Sequence, residues 1–249
     1  GADGHAHLAP RGEDVHDPVG GLFQDQPVGV RGLSEPVDLG LEVDDLAAGV
    51  LEGAHEAFVL RRQGRHRRCL GGDPVFELAH QGGIGAAAAQ LKRALAQAKD
   101  YGADVILLTG DLVNDAREGE YVALAEALTD PPAPLYLMPG NHDDRALLRR
   151  FFPHHAYLPR EGALHFTIED FPVRIVALDD VVPGQTHGLL RRSGAEWLES
   201  ALSAERGKPT IVALHHPPFL THDLLFDKIG LLDAEEFATV LARHRQVLR

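Results

Sequence analysis

The hydrophobic and polar positions of this chain fall into two regimes that meet near Ile84. Beyond that point, short apolar runs alternate with amphipathic stretches. Positions 105–108, 135–138, 165–168, 174–178 and 210–214 are runs too short for helices and rich in Val, Ile, Leu and aromatic residues. They predict strands, largely buried. Between them the apolar period lengthens. Residues 86–99 place Leu91, Leu95 and Ala98 on one helical face, with Gly102 as a stop. Helices are predicted at 118–128, halted by Pro131 and Pro132, at 144–152, and at 234–244, capped by Asp233 with Glu236 behind it. Ser193 to Glu196 reads as a capping box opening a helix through Leu202, with Trp197 and Leu198 facing inward. Strands alternating with helices over 83–249 predict an α/β domain.

Residues 1–82 follow another pattern. They contain no Lys, Ile, Tyr, Asn, Thr, Met or Trp, yet are rich in Gly, Asp, Val, Leu, Arg and His. Weak helical periodicity is present at 39–51 and 52–60. The skew suits a disordered extension, although Val and Leu are plentiful for one. It suits better a wrong reading frame of a GC-rich gene, because the missing residues mostly use AT-rich codons. The segment is therefore set apart from the domain at 83–249.

Composition narrows the function classes. Of 249 residues, 44% are hydrophobic and 24% charged, as in a soluble globular protein. No apolar run approaches the roughly 20 residues of a membrane span. The formal net charge of −13 argues against steady contact with nucleic acid or anionic lipid. The single cysteine, Cys69, excludes an internal disulfide and suits a reducing, cytoplasmic setting.

The candidate chemistry sits at strand ends. The 105–108 run stops at Thr109-Gly110-Asp111, with Asn114 and Asp115 just beyond. The 135–138 run stops at Pro139-Gly140 and delivers Asn141, His142, Asp143 and Asp144. The 210–214 run ends at His215-His216-Pro217-Pro218. Carboxyl ends of strands are where α/β sheets build sites. Asp, Asn and His together suit divalent zinc, manganese or iron.

Gly110-Asp111, Gly140-Asn141-His142-Asp143 and His215-His216-Pro217-Pro218 resemble, in order and spacing, three motifs of the calcineurin-like metallophosphoesterases. Tyr136 to Arg145, the His-His-Pro-Pro run and Asp227 resemble most the branch of cyclic-nucleotide phosphodiesterases and glycerophosphodiesterases. The resemblance implies a four-layer α/β/β/α sandwich with two mixed sheets face to face. It also implies two divalent ions (Mn, Fe, Zn or Co) that activate a water for attack on a small phosphodiester. On this reading Asp111 is the shared carboxylate, and Asn141 and His215 are further metal ligands. His142 contacts the phosphoryl oxygen or protonates the leaving group, and Asp143 orients His142 or its loop. Asn114 and His216 lie near substrate.

Each motif alone has a plainer reading. Gly-Asp after a strand is ordinary turn chemistry, Asn141 is a helix or turn cap, and two histidines before two prolines make a rigid loop. Their joint placement at strand ends favours a site. Two departures from the family pattern remain. An Asp-x-His motif is expected near Gly64 to Asp73, where Gly64-Arg65-His66-Arg67-Arg68-Cys69 stands instead; Asp3-Gly4-His5 has the letters but lies far upstream. A Gly-His-x-His motif is expected after the helix ending near His244 and does not occur before Arg249. The first strand and the C-terminal strands of the sandwich are accordingly expected to be missing. The competing expectation is a truncated or degenerate relative that binds metal or a partner without turnover.

Overall fold

The computed structural model describes residues 46–50, 57–62, 79–220, 222 and 226–248. Two sheets form the frame. The first has the order β1 (Leu46–Val50), β2 (Ala57–Arg62), β3 (Val105–Leu108), β4 (Leu135–Leu137). Only the β3–β4 pair in it is parallel. The second sheet has the order β5 (Phe166–Ile168), β6 (Arg174–Ala177), β7 (Thr210–Ala213), with β5 antiparallel and β7 parallel to β6.

The alternation of side chains along a strand explains the layering. Ile175 and Ala177 of β6 join a core that also holds Leu107 of β3, Leu137 of β4 and Phe166 of β5. Val176 and Leu178 point the other way, into a second core with Leu198, Leu202, Phe237 and Val240. Strand β6 is therefore buried on both faces. One face meets the first sheet, the other meets helices α4 (Arg191–Ala204) and α5 (Ala234–Leu241). Helices α1 (Ala79–Tyr101), α2 (Glu118–Ala127) and α3 (Arg145–Phe151) supply Ala94, Tyr121 and Leu148 to the core of the first sheet. The result is the mixed α/β arrangement with two sheets that the sequence predicts. Among the described residues no helix is long and apolar enough to cross a membrane.

Three local expectations need correction. The segments read as weak helices at 39–51 and 52–60 contain strands β1 and β2 where they are described. Apolar runs this short are marginal as isolated helices, whereas the free edge of β3 offers a hydrogen-bonding partner to β2. Helix α1 begins at Ala79 and continues through Gly82, Gly83 and Gly85, so regular structure starts inside the segment set apart by composition. The third correction concerns caps. Ser193 lies in the first turn of α4, which starts at Arg191 and has no side-chain cap of its own. The Asp233 carboxylate instead accepts the backbone N–H groups of Leu190 (2.8 Å) and Arg191 (2.7 Å). Occupied there, Asp233 makes no side-chain cap on α5. One carboxylate thus ties the starts of two helices together across the fold. The stretches Asp3 to His5 and Gly64 to Cys69 lie outside the described residues.

Candidate metal centre

Three loops, following β3, β4 and β7, converge at the carboxyl end of the sheets. They approach so closely because two of their residues have no side chain. Gly110 adopts φ +125°, and a Cβ there would overlap His215 Nδ1 and the backbone of Gly140. A Cβ on Gly140 would overlap Asp111 N and Oδ1. Asp111 itself sits at φ +49°, a left-handed conformation that costs a non-glycine residue about 1 kcal/mol or more.

The convergence places donor atoms opposite one another. His215 Nε2 is 3.3 Å from Asp111 Oδ1 and 3.2 Å from Asn141 Oδ1. The other ring nitrogen, Nδ1, is 3.1 Å from the Thr109 carbonyl. A carbonyl only accepts, so this contact assigns a proton to Nδ1, and a cation bound at Nε2 would meet the lone pair of that neutral tautomer. A carboxylate oxygen, an amide oxygen and the imidazole Nε2 then face a common point, and in the neutral Nδ1–H ring all three are donors to a cation. Fixing a histidine's tautomer through its second nitrogen is also how metal-binding imidazoles are held. The donor set therefore fits a divalent ion of the zinc or manganese class. Among the described residues no group of three His, Cys, Asp or Glu side chains is gathered in metal-binding fashion; one of these three donors is an amide.

Asp143 organises the loops from behind. Its Oδ2 accepts the N–H of Leu112 (3.0 Å), next to Asp111, and the N–H of Gly140 (2.8 Å), next to Asn141. The Tyr121 hydroxyl donates to Asp143 Oδ1 (3.4 Å) and accepts the N–H of Asp144 (2.8 Å). Burial pushes the Asp143 carboxyl up to about 7; its two backbone donors pull it down and the charge of Asp111 adds to the rise. Burial, with Asp143 nearby, also pushes the Tyr121 phenol up. Asp144 caps α3 by accepting the N–H of Leu147 at 2.8 Å.

His142 stands at the open side of the centre, 41% exposed against 6% for His215. Its backbone N–H donates to Asp111 Oδ1 (3.0 Å), and its ring Nδ1 lies 2.6 Å from the Asn114 carbonyl. Its Nε2 is 4.0 Å from Asp111 Oδ2. Asn114 is exposed, with its side-chain amide donating to Asp115 (2.9 Å). His216 is placed differently from expectation. It is 2% exposed, with Nδ1 at 3.2 Å from Asp180 Oδ1 and its backbone N–H donating to Asp180 Oδ2 (3.1 Å). The ring is buried beside a buried carboxylate and neither ring nitrogen makes a hydrogen bond, so the loop is held to Asp180 through the His216 backbone N–H. Asp227 falls in a 3₁₀ turn, Phe226–Lys228.

Two carboxylates that the sequence does not single out lie just after β6: Asp180, and Asp179, which pairs with Arg145. Arg145 donates to both carboxylate oxygens of Asp179 at 2.6 Å and to the Val181 carbonyl at 2.7 Å. Asp179 also accepts the N–H groups of Leu164 (2.7 Å) and Val181 (3.1 Å), and its own N–H donates to His165 Nδ1 (2.9 Å). Burial lowers the His165 imidazole, leaving the neutral ring that such an accepted bond requires.

Residues 71–243 match the profile of the family described as calcineurin-like phosphoesterase. The chain belongs to the calcineurin-like phosphoesterases. Within this family it is 32% identical over 146 residues to a probable glycerophosphodiester phosphodiesterase of Arcobacter nitrofigilis, covering 58% of this chain and 54% of that protein. It is 33% identical over 144 residues to the 3′,5′-cyclic adenosine monophosphate phosphodiesterase of Escherichia coli, covering 58% and 51%. A cAMP/cGMP dual specificity phosphodiesterase of Mycobacterium tuberculosis is 39% identical over 120 residues, covering 46% and 37%. The chain spans about half the length of these curated relatives or less. A dimetal phosphatase from Danio rerio shares the phosphoesterase fold with a TM-score of 0.51 over 65% of this chain and 69% of that one, at 14% identity.

Proposed function

We propose that this calcineurin-like phosphoesterase hydrolyses small phosphodiesters, cyclic nucleotides or glycerophosphodiesters, at a binuclear metal site in which Asp111, Asn141 and His215 are ligands. The single observation that carries this reading is the convergence of Asp111 Oδ1, Asn141 Oδ1 and the lone-pair nitrogen of His215. Divalent ions, when bound, supply charge neutralisation of the phosphate and activation of a water at neutral pH. The chain's own residues do the rest. Asp111, with one oxygen toward His215 and the other toward His142, would be the carboxylate shared by the two ions. His142, held through Nδ1–H, presents Nε2 on the open side; with a second proton on Nε2 the ring can give that proton to the departing alcohol oxygen and return to the neutral Nδ1–H form. Asp143 and Tyr121 keep the two loops in register. The relatives named as phosphodiesterases of both substrate classes support the choice of diester.

A second reading, metal binding without turnover, is favoured by the small donor set among the described residues. The experiment that separates the two is hydrolysis of cyclic AMP and of a glycerophosphodiester with added manganese, beside manganese binding by calorimetry. Manganese-dependent turnover, abolished by chelation and reduced by several orders of magnitude in Asp111→Ala, supports hydrolysis. Binding without turnover supports the second reading. Turnover that survives both chelator and Asp111→Ala overturns the first outright.

A further inference from the structure

We infer that Glu120, on the first turn of α2, is a positioning residue for His142. The inference rests on the hydrolytic reading for what His142 does, and on geometry alone for where it points. The Glu120 carboxylate accepts three backbone N–H groups from the loop that follows Asp111: Asn114 (3.3 Å), Asp115 (3.1 Å to Oε2, 3.3 Å to Oε1) and Arg117 (2.9 Å). The carbonyl of that same Asn114 lies 2.6 Å from His142 Nδ1. Because a carbonyl accepts only, the contact sets the His142 tautomer to Nδ1–H and turns Nε2 toward the candidate metal centre. Glu120 thus fixes the loop, the loop fixes the carbonyl, and the carbonyl fixes the ring.

The plain alternative is that Glu120 is an ordinary helix-capping residue. A carboxylate three positions into a helix commonly reaches back to the N-cap N–H, and Arg117 is that residue. Capping accounts for the Arg117 contact but not for those to Asn114 and Asp115, which lie outside the helix. The loop also needs outside support. Ala116 adopts φ +50°, a conformation a non-glycine residue holds only when its surroundings impose it. Neighbouring Glu118 has the same charge and shares the helix start, yet it pairs with Arg150 on the surface. It is therefore the natural control.

The test is the ring-nitrogen NMR spectrum of His142 in the metal-free protein, read in the neutral form of the ring, for wild type, Glu120→Ala, Glu120→Gln and Glu118→Ala. Wild type and Glu118→Ala are expected to show the Nδ1–H tautomer. Glu120→Ala is expected to revert to the mixture, dominated by Nε2–H, of an unconstrained imidazole. Glu120→Gln, which keeps an acceptor oxygen for the loop, is expected to stay nearer wild type. Glu120→Ser, too short to reach the Asn114 and Asp115 N–H groups, replaces Glu120→Ala with the same expectation and the same overturning result if that variant does not fold. In the manganese-loaded protein, Glu120→Ala is expected to lower kcat at least roughly tenfold with KM and manganese affinity unchanged, as for a misaimed catalytic group. A His142 ring that keeps the Nδ1–H tautomer in Glu120→Ala overturns the inference, as does a tautomer lost equally in Glu118→Ala. If wild type hydrolyses no phosphodiester, the hydrolytic reading fails while the tautomer spectra still decide whether Glu120 positions His142.

Discussion

The carboxylate of Asp143 accepts the backbone N–H of Leu112 at 3.0 Å, across 31 positions of sequence. Together with the Gly140 N–H bond on the same oxygen, this makes one buried acceptor the hinge pin of both candidate ligand loops. Its energetic sign is unusual for a carboxylate. Burial raises the folded-state value to about 7, above the ordinary 3.8, so the folded state holds this proton more tightly than the unfolded chain. The linked stability is present at low pH and is lost as pH rises through that window. In metal-free protein, wild type is expected to lose stability relative to Asp143→Asn between about pH 5 and pH 7, by on the order of 1 kcal/mol per pH unit at most. Urea unfolding of both proteins across that range checks it; parallel curves rule it out.

Two glycines of similar sequence appearance are expected to behave oppositely. Gly140→Ala puts a methyl group into Asp111 N and Oδ1, where backbone cannot yield. It should lower manganese affinity more than tenfold and destabilise the domain by at least about 1–3 kcal/mol. Gly119, in the first turn of α2, has nothing within 4 Å of its would-be Cβ. Gly119→Ala should leave manganese binding unchanged and stabilise the fold by about 0.5–1 kcal/mol. Calorimetric titration and thermal melts of the two variants decide.

The Arg145–Asp179 pair makes a third prediction. Asp179 is fully buried and Arg145 largely so. Arg145→Met leaves the carboxylate with its backbone donors but no counter-charge, which for a buried pair costs about 3–5 kcal/mol. Denaturant midpoints measure it. A loss below roughly 1 kcal/mol would mean that water already solvates the pair.

His142 should separate from the ligands. His142→Ala is expected to keep manganese affinity and to lower turnover by about 10²–10⁴ on substrates whose alcohol leaving group needs a proton. On a nitrophenyl diester, whose leaving group does not, the loss should shrink. A variant that loses its manganese, or that slows equally on both substrates, assigns His142 to the metal shell instead.

The strand ends were legible because the chemistry is local there: an apolar run followed at once by Gly-Asp, Gly-Asn-His or His-His-Pro-Pro needs no knowledge of the fold. The apolar run at 174–178 likewise points to a buried strand, though not to Ile175 and Val176 serving different cores. What escaped were relationships between distant residues. Asp233 caps α4 rather than its own helix because Leu190 lies beside it, and His216 turns to Asp180 rather than to substrate because both are buried. Glu120 and Tyr121 are neighbours in the helix predicted at 118–128. Only the folded arrangement shows that each holds a different ligand loop. Strand β2 escapes a local reading because its partner, the edge of β3, is distant in sequence, and β1 is a strand through its pairing with β2.

The most direct test is anomalous diffraction from a crystal of this chain grown with manganese or zinc. The expected result is a peak about 2.0–2.2 Å from Asp111 Oδ1, Asn141 Oδ1 and His215 Nε2, with Nδ1 of His215 still donating to the Thr109 carbonyl. Contradiction would be the absence of any peak among these three atoms at saturating metal, with His215 rotated so that Nε2 carries the proton and donates to Asn141.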